Sequence, residues 1–421
     1  MSQPLAAVLV GAGNRGFYAY GPYALAHPDE IRFVAVAEPD RARRLRFAAE
    51  HGIAESQQFE SWEELYTRGQ IADVLVNCTL DRSHLESTLP ALELGYDVLL
   101  EKPMAHTLEG NVGLVQAAER HGRLLMICHV LRYTAFFSAL HDILCSGRLG
   151  TVVTAEHREN VVYWHMAHSF VRGNWRNSAI ESPMILAKCC HDLDVLFWNL
   201  GPVAQLSSFG SLFHYRPENA PKGAPLRCTD GCPVSDECPW YAPRVYLGDK
   251  TGWPVSVISI DPSLDARRRA LEVGPYGRCV YHCDNDVVDH QTINMVFESG
   301  ATCVMTMHGY SYEEGRTMRY DGTRATLRGK FSQSGDVIEI HDHLTGQVET
   351  LHPRAGASGH GGGDEGMMRA FVGGVRDRST VLNTAREALE SHILAFAAEE
   401  SRIARNVINL AAFRQHVETL G

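Results

Sequence analysis

Short, uninterrupted apolar runs recur through the first 130 residues, and each closes on glycine or a polar side chain. Leu5 to Val10 leads into a glycine turn, and residues 32–37 (RFVAVA) end on Glu38. Residues 72–79 (ADVLVNCT), 97–103 (DVLLEKP) and 124–130 (LLMICHV) repeat the pattern. Runs of this kind belong to strands buried on both faces, as in a parallel sheet. The amphipathic stretch HLESTLPALELG between two of them predicts repeated βα units. Further along, DVVDHQTINMVFESGATCVMTMHG and GDVIEIHDHLTG alternate apolar with polar residues between turn signals, which predicts antiparallel strands. TAREALESHILAFAAEESRIA (384–404) has the period of a structural amphipathic helix.

The predicted fold is therefore α/β: an N-terminal Rossmann domain with a doubly wound parallel sheet (1–128), then a C-terminal α/β domain with an antiparallel sheet (129–421). A cysteine-rich insertion lies around 214–284. A chain of 421 residues accommodates both units. Its net charge of −11, with no basic block, argues against nucleic acid as a partner. No apolar run reaches membrane-spanning length. The segment MSQPLAAVLVGAG has no positive n-region before its first strand, so a cytoplasmic location is the expectation.

Gly11, Gly13 and Gly16 form G-x-G-x-x-G directly after the first strand, with Asn14 and Arg15 inside the loop. Glycines there permit a tight turn and close approach of backbone to a pyrophosphate, whose charge the next helix attracts. Glu38, at the end of the second strand, can accept hydrogen bonds from a ribose diol and would repel a 2′-phosphate. This favours NAD over NADP, with Arg41 and Arg43 nearby as the counter-indication. Thr79, Glu101 and Lys102 stand at strand ends, where such sheets hold the cofactor. Lys102 is either a proton-transfer group in that crevice or a strand-end cation paired with Glu101.

The stretch SPMILAKCCHDLDVLFWNLG (182–201) reads as one buried helix, capped by Ser182-Pro183 and ended by Gly201. Lys188, His191 and Asp194 would share one face, with Asp194 orienting the His191 imidazole, while Cys189 and Cys190 pack as small apolar residues. ENVVYWHMAHSFVRGNWRNS (159–178) gathers Tyr163, Trp164, His165, His168, Arg172, Trp175 and Arg176. Aromatic faces and fixed donors suit a polyhydroxylated substrate, and the arginines suit an anionic one; the alternative is a polar loop over the following helix. The glycine run at 359–375 is either a lid carrying His360 and Asp364 to the substrate or a flexible connection. Cys228, Cys232 and Cys238, with Cys283 beside Cys279 and His282, suggest a structural zinc site. Buried free thiols and an iron–sulfur cluster remain the alternatives.

The glycine fingerprint, Glu101-Lys102-Pro103 about ninety residues later, and the His191-x-x-Asp194 helix together resemble the glucose–fructose oxidoreductase/inositol dehydrogenase/rhizopine catabolism (Gfo/Idh/MocA) family. The resemblance spans residues 5 to about 200; 285–345 match only in general pattern. It implies NAD or NADP in the first domain and an open, mostly antiparallel sheet in the second. It also implies oxidation or reduction of hydroxyl carbons on sugars and cyclitols. Lys102 then falls in the active site before a frequently cis proline, Pro103, and Arg132 and Tyr133 fall on the pocket wall. His360 joins them as a candidate substrate contact, and pairing of the open sheets implies a homo-oligomer. One departure stands out: Ala187 occupies the position where the family has an aspartate four residues before the histidine, with Lys188 beside it. The leading expectation is an NAD-dependent sugar dehydrogenase using Lys102 and His191. The alternative is a redox-neutral NAD-dependent glycoside hydrolase, in which Lys188 supplies the extra acid or base; a non-enzymatic binding protein ranks third.

Overall fold

The computed structural model describes residues 3–354, 356 and 360–420, so Gly359 at the head of the glycine run lies outside the described residues. The first sheet contains β1 (Leu5–Val10), β2 (Ile31–Ala37), β3 (Gln58–Phe59), β4 (Val74–Asn77), β5 (Asp97–Leu100) and β6 (Leu125–Ile127). All its pairings are parallel, in the order β3-β2-β1-β4-β5-β6. Every residue of β4 and β5 is buried, as their unbroken apolar runs require. The order reverses between β1 and β4, and at their carboxyl ends opens the crevice that doubly wound sheets use for nucleotides.

The second sheet contains β7 (Val152–Val162), β8 (Val203–Ser211), β9 (His290–Phe297), β10 (Thr302–Ser311) and β11 (Gly315–Gly322). It continues through β12 (Ala325–Ser332), β13 (Val337–Asp342), β14 (Val348–Leu351) and β15 (Ile408–Asn409). Their order is β14-β13-β12-β11-β7-β10-β9-β8-β15, antiparallel throughout except for the parallel pair β7–β10. In β9 and β11 alternate residues are buried, the period-two pattern of a sheet with one covered face. On the other face Val153, Phe209 and Val304 are exposed.

The helix Ala385–Ala404 joins the two halves. Just before it, the Asn383 side chain donates to the Ile127 carbonyl (2.8 Å), and within it His392 Nε2 accepts from Met104 N (2.8 Å). The late helix is thereby fixed to the loop that follows β5 and Lys102.

The insertion between β8 and β9 has a small core of its own: Cys228, Ala242, Tyr246, Val255 and Leu271. Arginines hold its backbone. Arg267 Nη1 donates to the carbonyls of Tyr246 (2.8 Å) and Gly248 (2.9 Å). Arg172, fully buried, donates to those of Arg278 (2.7 Å) and Trp240 (2.7 Å).

The zinc expectation is corrected here. Among the described residues no group of three or more His, Cys, Asp or Glu is placed to hold a metal ion, and all eleven cysteines are free. Cys228 Sγ faces Arg172 Nη2 (3.6 Å), and Cys283 Sγ donates to the Cys279 carbonyl (3.3 Å). Apolar packing and arginine–carbonyl bonds do the work the sequence suggested for a metal.

Candidate active site

The glycine loop has the form a dinucleotide needs. Gly11 has φ +89°, and a Cβ there would lie 2.7 Å from the Cys78 carbonyl oxygen; one at Gly16 would lie 2.3 Å from that of Gly11. A Cβ at Gly13 would meet nothing within 4 Å, which is the open space a pyrophosphate crosses. Glu38 sits at the end of β2 and is buried, accepting from Ala12 N (2.7 Å) and Asp40 N (3.0 Å). Thr79 bonds to the Asn77 side chain at the end of β4 (2.8 Å). These residues fit NAD.

Arg15 points across the loop into a compact network. Its Nε donates to Glu101 Oε1 (2.5 Å), and its Nη2 to Asp364 Oδ1 (2.7 Å) and the Tyr20 hydroxyl (2.8 Å). Burial opposes ionisation of Glu101, yet Arg15 and the Tyr20 hydroxyl outweigh it and hold the carboxyl below its ordinary value. Glu101 is thus paired with Arg15, and Lys102 is left to another partner.

That partner explains the helix. The single helix expected over 182–201 is two: Met184–Ala187 and Cys190–Leu200, with Lys188 and Cys189 in the break. Ser182 does not cap it, and Cys189 (φ −95°, ψ 4°) leaves helical geometry. The break frees the Ala187 carbonyl, and Lys102 Nζ donates to it (2.7 Å). Lys102 follows β5, and the Lys102–Pro103 peptide is cis.

The second helix divides its polar residues among different neighbours. Asp192 faces the sheet, accepting from Arg316 Nε (2.8 Å) and bonding His157 (2.7 Å). Asp194 accepts from Arg132 Nε and Nη2 (2.8 and 2.7 Å) and lies 3.0 Å from His129 Nδ1. It therefore orients His129 and Arg132, not His191 as expected. His191 stands between, with Nδ1 buried and unpartnered, 5.8 Å from the His129 ring and 6.2 Å from that of His360. Burial, reinforced by the charge of Lys102, holds its pKa well below the ordinary histidine value, so the imidazole is neutral at neutral pH.

Lys188 shares neither face nor surroundings with His191. Its Nζ lies 2.9 Å from Glu314 Oε1 and 3.4 Å from Glu159 Oε1. Burial opposes its charge, but the two carboxylates outweigh burial and raise its pKa. The same Glu314 accepts from His165 Nδ1 (3.0 Å) and Val162 N (2.8 Å). Burial holds His165 below its ordinary pKa against the pull of Glu314, and Lys188 and Lys102 add to the lowering. His165 is thus a neutral imidazole, fixed through Nδ1, that feels the charge of Lys102.

The other anticipated substrate residues separate. Tyr163 opens the short turn Tyr163–His165, and the Trp175 indole donates to Asp81 beyond β4 (3.1 Å). His360, with φ +50°, bonds Asp364 (3.1 Å). Tyr133 is half-buried with its hydroxyl unpartnered. Arg132 is spent on Asp194 and Glu387, Arg172 on the insertion backbone, and Arg176 on Asp284 (2.7 Å). Trp253 was not foreseen: its indole meets His165 edge-on at 4.8 Å and Trp164 at 5.3 Å. Nothing in the insertion's sequence marks it, nor Glu314, which lies in the turn between β10 and β11.

A family model described as "Oxidoreductase family, NAD-binding Rossmann fold" matches residues 5–129, and its companion, "Oxidoreductase family, C-terminal alpha/beta domain", matches 142–410. Oxidoreductase YteT of Bacillus subtilis is 23% identical over 319 residues, 72% of each chain. The 1,5-anhydro-D-fructose reductase of Ensifer adhaerens is 36% identical over 122 residues, 29% of this chain and 36% of that enzyme. Among solved structures, levoglucosan dehydrogenase in complex with NADH superposes with a TM-score of 0.72 at 15% identity, covering 97% of this chain and 99% of that one. An oxidoreductase from Agrobacterium radiobacter, in complex with NAD+, L-tartaric acid and magnesium, gives 0.69 at 16% identity over 97% and 99%. At these identities the structures speak to the fold.

Proposed function

The chain belongs to the Gfo/Idh/MocA family of NAD-binding oxidoreductases, and from that footing we propose that it oxidises a secondary hydroxyl of a sugar or cyclic polyol, with Lys102 and His191 handling the hydroxyl proton. The observation that carries this reading is the Lys102–Ala187 hydrogen bond (2.7 Å), which fixes an ammonium at the end of β5 on a neutral carbonyl. NAD, when bound, supplies the hydride acceptor. A hydroxyl carbon gives up hydride only as its oxygen loses a proton, so a group within hydrogen-bond reach of that oxygen must take it. Lys102 orients the hydroxyl, and the neutral His191 imidazole accepts its proton as the hydride leaves.

The aromatic wall of Trp164, His165 and Trp253 suits the apolar face of a sugar ring, and Trp175 and Asp81 suit its rim. Relatives named for anhydrofructose and inositol support a ring-shaped polyhydroxy substrate. Arg172 and Arg176 are engaged elsewhere, so an anionic sugar gains no support from them. The glycoside hydrolase alternative loses Lys188, the residue that motivated it.

A panel of sugars, polyols and chromogenic glycosides tests the reading, following reduced-nicotinamide absorbance and aglycone release together. Stoichiometric NADH without aglycone is expected. Aglycone without net NADH would overturn it.

A further inference from the structure

The cofactor cleft has a second wall, built by the insertion. Gly13, Asn14 and Arg43 face Ser256, Val257 and Ile260 across one cavity. The same stretch begins at Trp253, which packs on Trp164, His165 and, at 5.7 Å, His168. Residues 253–260 therefore run from the aromatic wall to the glycine loop, along the line a dinucleotide takes in a doubly wound fold. The stretch is anchored on the insertion: Val255 sits in its core with Ile258 packed against it, and just before the stretch Arg267 Nη1 reaches the Gly248 and Lys250 carbonyls (2.9 and 3.3 Å).

We propose that residues 253–260 roof the bound dinucleotide, with Trp253 over its substrate end and Val257 and Ile260 over the pyrophosphate and adenosine ribose. Val257 is half-buried and Ile260 is 40% exposed, so apolar surface lines a cavity whose other side is glycine loop and arginine. A ligand entering would cover that surface. Excluding water above the phosphates would strengthen their attraction to Arg43 and to the loop N–H groups. The cofactor would then lie between segments more than two hundred residues apart in the chain, and would leave only when the insertion lifts. The inference rests on NAD use and not on the identity of the sugar.

The test is NADH release from the full-length protein, read by nicotinamide fluorescence after a chase with excess ADP-ribose. Val257→Asp and Ile260→Asp each set a carboxylate against the phosphates. Release should be about tenfold faster, with Kd weakened to match, for a charge opposed across a partly screened gap. Leu264→Asp, exposed in the same insertion but outside the cavity, should leave both unchanged. In the unaltered protein, amide exchange at 253–260 should slow when NAD is added. Wild-type release rates in both cavity variants, or no exchange protection, would overturn the roof. A wild-type protein that binds no NADH would instead overturn the cofactor reading, and the roof with it.

Discussion

Lys102 comes from the end of the parallel sheet, and Lys188 from the helix break three residues before His191. Their surroundings differ in kind. Lys102 Nζ rests on one neutral carbonyl, with no carboxylate in salt-bridge distance among the described residues. Glu101, its sequence neighbour, is turned away to Arg15. Lys188 lies between two carboxylates, within a cluster that also contains Arg316 and His165. A carbonyl positions an ammonium by one directed hydrogen bond, whereas two buried carboxylates around Lys188 make loss of its proton costly. One lysine is held where chemistry could use it; the other is a structural cation that ties the break to the second sheet.

Removing each lysine would break the comparison if it were wrong. Lys102→Met should lower kcat by about 10³-fold, the span that acid–base groups contribute, while NADH binding, read by fluorescence, survives. Full turnover in that variant would remove Lys102 from the proposed chemistry. Lys188→Met should act on stability first. Stranding Glu314 without its cation, while Glu159 keeps Arg316, should cost about 3–5 kcal/mol in urea denaturation, with a much smaller fall in kcat for the molecules that remain folded. Lys188→Met with Glu314→Gln should recover part of that loss, since one stranded charge goes with it. A stable Lys188→Met enzyme without turnover would reverse the roles assigned here.

The same contrast explains what could be read from sequence. The strand-end position of Lys102 was legible because its surroundings are local, an apolar strand, an acid and a proline in one short run, but its partner was not, since Glu101 turns to Arg15 and Lys102 to Ala187. The glycine loop and Glu38 were legible for the same reason. The lock on Lys188 comes from Glu159 on β7 and from Glu314, 126 positions along the chain, which no helical spacing can reveal. The ends expected for the helix, Ser182-Pro183 and Gly201, bracket the observed pair, but its break accompanies a tertiary bond from Lys102. Arg132 was placed on the pocket wall by the family resemblance, and Arg172 because arginines so often bind anions. Their partners are Asp194 in one case and distant backbone carbonyls in the other. The cysteines suggested a metal by count and spacing, yet the insertion is held by a small apolar core and arginine staples that composition does not display.

Two carboxyls sharpen the comparison with opposite signs, at smaller scale. Glu314 is paired with Lys188 and His165. These outweigh burial and hold it well below its ordinary value, so it contributes stability above pH 4.5 that is lost as pH falls through its folded pKa. Glu181 lies beside Asp81 and, among the described residues, accepts only the Arg82 amide (3.0 Å). Burial, with Asp81 adding to it, pushes Glu181 from 4.5 up to about 7. Between those values the unfolded chain releases a proton that the folded chain keeps, so the group's cost to stability grows as pH rises through the window and levels off above it. Glu181→Gln should therefore be as stable as wild type at pH 4. At pH 8, with the shift discounted for solvent screening, it should be more stable by about 1 kcal/mol, or about 2 °C in Tm. Calorimetry across pH 4 to 8 reads the difference directly. A gain that is flat with pH would mean that Glu181 holds its charge at neutral pH, and that its place beside Asp81 tolerates an unpaired carboxylate after all.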